Sequence, residues 1–313
     1  MKIFKPKFWS EKNSFSAKLL YPISIFYKFL LFIKQKTTKE FDLNIPIICV
    51  GNIYLGGTGK TPLSILIAKE LKKKGKEPAI IRKYYTSHKD EHLLIEKYFK
   101  SLILNNNRIS AIQNAKSFGY DLMILDDGFQ DFRIKKNVSI ICFNERQLIG
   151  NGLMFPSGPL REDMSALKRA QIVMINGLKN KNFEKLLKKI NNKIDIFYSK
   201  YHPMNLKDFK NKKLIALAGI GNTSNFFELL EENKLNVVNK YSYPDHYKFS
   251  KIEIAKIVDQ ASKNKCQIIM TEKDYYKINR FKFPKIKYLK VILKIKEKNK
   301  FINKIIKLND KNI

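Results

Sequence analysis

One stretch limits what this chain can fold into more than any other: Val50-Gly51-Asn52-Ile53-Tyr54-Leu55-Gly56-Gly57-Thr58-Gly59-Lys60-Thr61-Pro62. It follows the apolar run 45–51 and opens a segment, 60–75, whose apolar residues recur at helical spacing. Strand, glycine-rich turn and helix in that order form the setting in which successive backbone N–H groups cradle phosphates. The helix N-terminus adds positive potential to the same spot. On this reading Gly56, Gly57, Thr58, Gly59, Lys60 and Thr61 line a phosphate chain. Lys60 reaches its outer phosphates and the Thr61 hydroxyl binds Mg2+. In the generic pattern GxxxxGK[ST] the first Gly falls on Tyr54, and the displaced Gly56-Gly57 pair keeps the loop permissive.

Short apolar runs alternate with helix-like segments along the rest of the chain. Strands are predicted at 45–51, 78–82, 120–126, 138–143, 171–176, 213–219, 236–243, 267–271 and 287–293. Helices are predicted at 60–75, 90–99, 108–118, 180–192, 223–234 and 250–263. Continuous apolar runs between helices indicate parallel strands buried on both faces. The expected fold is therefore α/β, a P-loop NTPase-like layered parallel sheet with a second, smaller α/β domain and an N-terminal membrane-interface helix. The polar, basic stretch 198–213, which contains Pro203, is the best boundary. The division is 1–35 as membrane-associating segment, 36–205 as P-loop domain and 206–313 as C-terminal α/β domain.

Lys and Arg total 61 against 28 Asp and Glu, a formal charge of +33. Only seven of the cations are Arg, the side chain that nucleic-acid readers use for bidentate contacts. The charge thus points to phosphates and acidic lipid headgroups, with no nucleic acid and no protein partner inferred. A hydrophobic fraction of 44% argues against wholesale disorder. Cys49, Cys142 and Cys266 lie far apart with no CxxC, so neither a disulfide scaffold nor a structural zinc site is expected, only buried thiols in a reducing cytoplasm.

Residues 8–34 read FWSEKNSFSAKLLYPISIFYKFLLFIK. Lys28 interrupts the most apolar part, 19–33, and Pro22 disfavours one unbroken helix. A spanning helix takes about 20 mostly apolar residues, and this run is shorter. The apolar stretch starts late for a cleavable signal and no small-residue site follows it. A helix lying in the membrane interface is expected, with Lys18, Lys28 and Lys34 reaching headgroups. The alternative is a helix packed on the protein's own core.

A second signal, Asp126-Asp127-Gly128-Phe129-Gln130, ends the apolar run 120–126. Carboxylates at the carboxyl end of a buried strand are where P-loop enzymes hold Mg2+, so Asp126 and Asp127 are metal candidates. Asn192-Lys193-Ile194-Asp195 spells a guanine-reading box, but it precedes a strand where that box should follow one. Leu125 also stands where DxxG needs Asp. A soluble GTPase or metallochaperone remains a rival reading.

Together these motifs resemble those of the tetraacyldisaccharide 4'-kinase family. VGNIYLGGTGKTP is similar to that family's phosphate loop and DDGFQ to its acidic motif. Residues 150–162, GNGLMFPSGPLRE, match a long and specific family stretch. Ala218-Gly219-Ile220-Gly221-Asn222, Phe226-Phe227, Tyr243-Pro244-Asp245-His246-Tyr247 and Thr271-Glu272-Lys273-Asp274 follow in family order. The resemblance implies an ATP- and Mg2+-dependent kinase acting on a membrane-embedded anionic glycolipid, the 4'-hydroxyl of a tetraacylated disaccharide 1-phosphate. It implies a peripheral or monotopic enzyme at the cytoplasmic face of a bacterial inner membrane. By the same resemblance Asp90, in Lys89-Asp90-Glu91, is the candidate base paired with His246. Lys60 and Arg161 are catalytic, and Arg108 contacts the nucleotide phosphates. Glu162 is a weaker candidate, while His88, His92 and His202 match no motif and are read as structural or surface residues. The nucleotide is expected on the first domain, with His246 brought in from the second by closure. The family's SRGYG reads Ile81-Arg82-Lys83-Tyr84-Tyr85 here, losing both glycines, and an inactive membrane-bound ATP-binding protein is the rival that this loss suggests.

Overall fold

The computed structural model describes residues 5–310. In chain order the elements begin with α1 Phe15–Thr37, β1 Ile47–Gly51, α2 Lys60–Lys72, β2 Pro78–Lys83, α3 Lys89–Tyr98, β3 Leu102–Asn105 and α4 Arg108–Ser117. Next come β4 Leu122–Asp126, β5 Val138–Asn144, β6 Ile172–Asn176, α5 Lys181–Ile190 and β7 Asp195–Pro203. The remainder is β8 Leu214–Ala218, α6 Thr223–Glu232, β9 Val237–Ser242, α7 Lys251–Lys263, β10 Gln267–Thr271, α8 Glu272–Ile278, β11 Ile286–Leu289, β12 Val291–Ile295 and α9 Lys298–Asp310.

The chain forms two compact units. Among the described residues, one comprises Lys5–Tyr84, Phe99–Lys200 and 293–310; the other comprises Tyr85–Tyr98 and Tyr201–Ile292. This differs in two places from the linear division at 205/206. Residues 85–98 sit with the C-terminal unit because α3 packs on α8: Lys97 Nζ lies 2.9 Å from Glu272 Oε1 and Lys273 Nζ donates to Glu91 at 2.8 Å. The last helix sits with the P-loop unit because α9 buries Phe301, Ile302 and Ile305 there, with Phe301 edge-on to Phe197.

In the P-loop unit an eight-stranded sheet runs β12-β7-β6-β5-β1-β4-β2-β3. β1, β4 and β5 are fully buried and pair in parallel, with Val50 opposite Asp126. That register brings the phosphate loop after β1 and the acidic motif after β4 to the carboxyl ends of neighbouring strands, where open α/β sheets bind ligands. The smaller unit has a parallel four-stranded sheet, β11-β10-β8-β9, sandwiched between two apolar clusters. β3, α8 and α9 lie outside the predicted spans, and β7 contains the strand read immediately after Asn192–Asp195. The predicted strand 287–293 is two strands, β11 and β12.

Helix α1 corrects the reading of Pro22: it runs unbroken for 23 residues with Pro22 inside it. Proline removes one backbone donor, and fifteen residues of helix, 23–37, continue beyond it. By length and composition alone α1 is also long enough to cross a membrane, contrary to the shorter reading of its apolar run. Its docking is narrow. Ser24 Oγ donates to Ser157 Oγ at 2.8 Å, Lys28 pairs with Asp163 at 2.6 Å, and Tyr27 and Leu31 pack on the core of the P-loop unit. Phe15, Leu19, Phe26, Phe29, Leu30 and Phe32 are exposed.

Candidate active site

The loop after β1 is braced from inside. Asn52, fully buried, donates through Nδ2 to Tyr54 O at 2.6 Å, Gly56 O at 3.2 Å and Thr58 Oγ1 at 3.1 Å. Gly59 caps α2 at φ 90°, left-handed backbone that a side chain would strain. The 150–162 stretch closes over the loop by Leu55 N to Pro159 O and Arg161 N to Ile53 O, at 2.8 and 2.7 Å. The loop is therefore held by its own hydrogen bonds and by the 150–162 stretch.

Charge is concentrated at its mouth. Asp126 is completely buried and accepts from Thr61 Oγ1 at 2.9 Å and Ser64 Oγ at 3.1 Å, and it pairs with Arg82. Asp127 sits at φ 59°, a left-handed conformation unusual for a non-glycine residue. Its carboxylate meets Arg161 at 2.9 Å and Lys60 at 3.7 Å, while its carbonyl accepts from Arg108 at 2.7 Å. Burial works against the Asp127 charge, but Lys60, Arg161 and Arg82 outweigh it and hold the carboxyl well below its ordinary range. Burial pushes Lys60 below the usual lysine range despite Asp127, so an incoming polyanion would relieve that cation. Burial also raises Glu162, which pairs with Arg169 and accepts from Gln130 at 2.9 Å.

The donors fit Mg2+. Thr61, Asp126 and Asp127 present hydroxyl and carboxylate oxygens alone, the hard set that this ion takes together with phosphate oxygens. Asp126 already accepts from three donors, one of them Thr61, an arrangement that orients the Thr61 hydroxyl.

The smaller unit holds a different chemistry. Asp90 is 4% exposed on the first turn of α3, and among the described residues neither of its oxygens accepts a hydrogen bond. His246 Nδ1 faces Asp90 Oδ1 at 3.5 Å, and Lys273 and Lys277 each lie 3.6 Å from Oδ2. Burial raises the acid's pKa, but His246 and the two ammonium groups overcome it, so Asp90 is held well below the carboxylate range. His246, like Asp127, has left-handed backbone, φ 57°. Asp90 and His246 belong to the same compact unit. Their pairing is built into that unit, which corrects the expectation that closure of two domains joins them.

Lys60, Thr61, Asp126, Asp127, Arg108 and Arg161 thus converge around one loop, and Asp90 with His246 around another. Arg82 and Asn52 were missed as site residues. Asn52 lies in the glycine-rich loop motif, and Arg82 is one of the seven arginines in a chain that otherwise uses Lys. The glycine losses at 83 and 85 are harmless to the backbone, because Lys83 ends β2 and Tyr85 takes an extended φ of −136°. Cys49, Cys142 and Cys266 are buried and free, and burial pushes the Cys49 thiol up to about 11. Native protein should accordingly leave Cys49 and Cys142 unlabelled by a thiol reagent at neutral pH until it is unfolded; rapid native labelling would contradict their burial.

Main chain shaped for phosphates and cations aimed at their charge place this chain among the P-loop phosphotransferases. The family described as tetraacyldisaccharide-1-P 4'-kinase matches residues 16–309, and the chain belongs to that family. It is 42% identical to a tetraacyldisaccharide 4'-kinase of Pelagibacter ubique across 100% of both chains, and 31% identical to that of Rickettsia typhi over 89% of this chain and 91% of the other. Its fold matches the crystal structure of LpxK from Aquifex aeolicus in complex with ATP, with a TM-score of 0.70 and 20% identity over 93% of this chain and 99% of that one. These relatives do not favour the GTPase, metallochaperone or inactive-protein alternatives.

Proposed function

We propose that the chain moves the γ-phosphoryl group of ATP to the 4'-hydroxyl of a tetraacyldisaccharide 1-phosphate, giving the 1,4'-bisphosphate and ADP. Family membership carries the reaction, and the buried Asp90 carboxylate carries the chemistry. Neighbouring cations hold its pKa well below the carboxylate range, neither oxygen accepts a hydrogen bond among the described residues, and it faces an imidazole. Such a group accepts the hydroxyl proton as the new O–P bond forms and the bond to the ADP oxygen breaks. A carboxylate held well below its ordinary pKa is a weak base by itself, so His246 shares the proton. Lys60, Arg161 and Arg108 offset charge on the phosphates, and the amides of 56–61 orient them. When bound at Thr61, Asp126 and Asp127, Mg2+ supplies further charge neutralisation on the phosphate oxygens.

The test is transfer of labelled phosphate from ATP to detergent-solubilised disaccharide lipid, with GTP as a competing nucleotide. Transfer that ATP supports and GTP does not is expected; nucleotide binding by folded protein without lipid phosphorylation at any acyl length would overturn the reading.

The exposed apolar face of α1 and the net charge of +33 suit an acceptor held in an anionic membrane, and we place the enzyme at the cytoplasmic face of the inner membrane. Phe26→Glu with Phe29→Glu should cut co-sedimentation with anionic vesicles about tenfold or more, by burying two charges in place of two rings. Unchanged sedimentation would remove α1 from membrane binding.

A further inference from the structure

His88 matches no motif, yet its ring lies flat on the imidazole of His246, centroids 4.0 Å apart and planes inclined by only 6°. We propose that His88 is a positioning residue for His246, an inference that rests on the kinase reading above. His246 is carried by a loop between β9 and α7 with no regular structure of its own and a left-handed φ. Neither feature fixes the direction of its ring. Among the described residues its Nδ1 also makes no hydrogen bond. Among the described residues, charge lies at the edges of the ring and His88 lies on its face. Asp90 Oδ1 stands 3.5 Å from Nδ1, and Asp245 Oδ1 and Glu91 Oε1 stand 3.8 and 3.9 Å from Nε2. These edge contacts are long and leave the ring free to swing about its Cβ–Cγ bond. A parallel ring at van der Waals distance opposes that swing.

His88 is itself held. Its Nδ1 faces Glu91 Oε2 at 3.8 Å, and Tyr85 packs on it with centroids 5.1 Å apart. Glu91 thus spans the two imidazoles while accepting from Lys273 at 2.8 Å. Ligand atoms of His88, Glu91 and His246 lie within 4.8 Å of one another, a set that suggests a metal. The stacking argues otherwise, because lone pairs in two nearly parallel planes do not converge on one ion, and the Lys273 ammonium occupies Glu91. The arrangement serves to aim His246 at Asp90.

The test compares His88→Ala, which removes the stack, with His88→Phe, which keeps a flat ring and loses both nitrogens. His88→Ala should lower kcat about tenfold with KM for ATP within about twofold, since small misplacement of a reacting group costs rate and not nucleotide binding. His88→Phe should recover kcat to within about threefold of native. An unchanged kcat in His88→Ala, or a loss that His88→Phe fails to restore, overturns the proposal. A second readout does not depend on turnover. With four histidines in the chain, the ring protons of His246 can be assigned by NMR through single substitutions. Their stacking-induced shift should vanish in His88→Ala and persist in His88→Phe, and a shift indifferent to His88→Ala would mean the rings do not stack. If the native protein transfers no phosphate, the kinase reading falls while the NMR result still decides the stack.

Discussion

Asp90→Asn is expected to lower kcat by about 10²–10⁴, the range that a positioned acid–base group contributes, while leaving ATP affinity within a few fold. The substitution keeps the volume and removes the charge, so it isolates the carboxylate's chemistry from its packing. ATP affinity should be spared because Lys60, Thr61 and the glycine-rich amides do not depend on α3. Kinetics with saturating lipid, together with equilibrium nucleotide binding, check both halves. A kcat within threefold of native would remove Asp90 from proton transfer. The same carboxylate makes a pH statement. Its folded pKa lies below its unfolded value, as does that of Asp127. Both therefore contribute stability that is complete above the unfolded-state value of about 3.9 and is lost as pH falls below it. Between pH 5 and 9 neither changes charge, so any acid limb of activity in that window belongs to another group.

How much of this was legible in the sequence depended on whether the signal was local. β1, the loop and α2 are contiguous, and their apolar run, glycines and helical spacing carry one message. Asp126 is readable because it closes an apolar run, which puts a carboxylate at the carboxyl end of a buried strand. Arg82 is not, since its partners lie 21 and 44 residues away and only the order of strands in the sheet joins them. α3 shows the same limit. Its sequence spacing gives a helix, but its membership of the smaller unit comes from Glu272 and Lys273, about 175 residues on. α9 reads as a Lys- and Asn-rich tail until the buried triplet Phe301, Ile302 and Ile305 is set against the sheet. Pro22 does not break α1 because the loss of one backbone donor is outweighed by the rest of a 23-residue helix. The stack of His88 on His246 joins residues 158 positions apart and follows no spacing rule.

The second large effect is on stability. Asp126→Ala is expected to cost about 3–5 kcal/mol, the penalty for breaking a buried pair and stranding one charge. Arg82 is 6% exposed and Asp126 fully buried, so solvent cannot stand in for the lost carboxylate. Thr61 and Ser64 lose their acceptor at the same time. Arg82→Leu should cost as well, because it leaves the carboxylate without its cation. Combining Arg82→Leu with Asp126→Ala should cost less than the two single losses added together, since the double variant strands neither charge, although Thr61 and Ser64 stay without their acceptor. Chemical denaturation of the four proteins measures this coupling. Additive losses would show that the two side chains do not interact and that the buried ion pair does not hold the loop. The double variant should stay inactive however stable it becomes, because Thr61 would no longer have the carboxylate that directs its hydroxyl. Recovered stability without recovered transfer would separate what this pair does for the fold from what it does for phosphate.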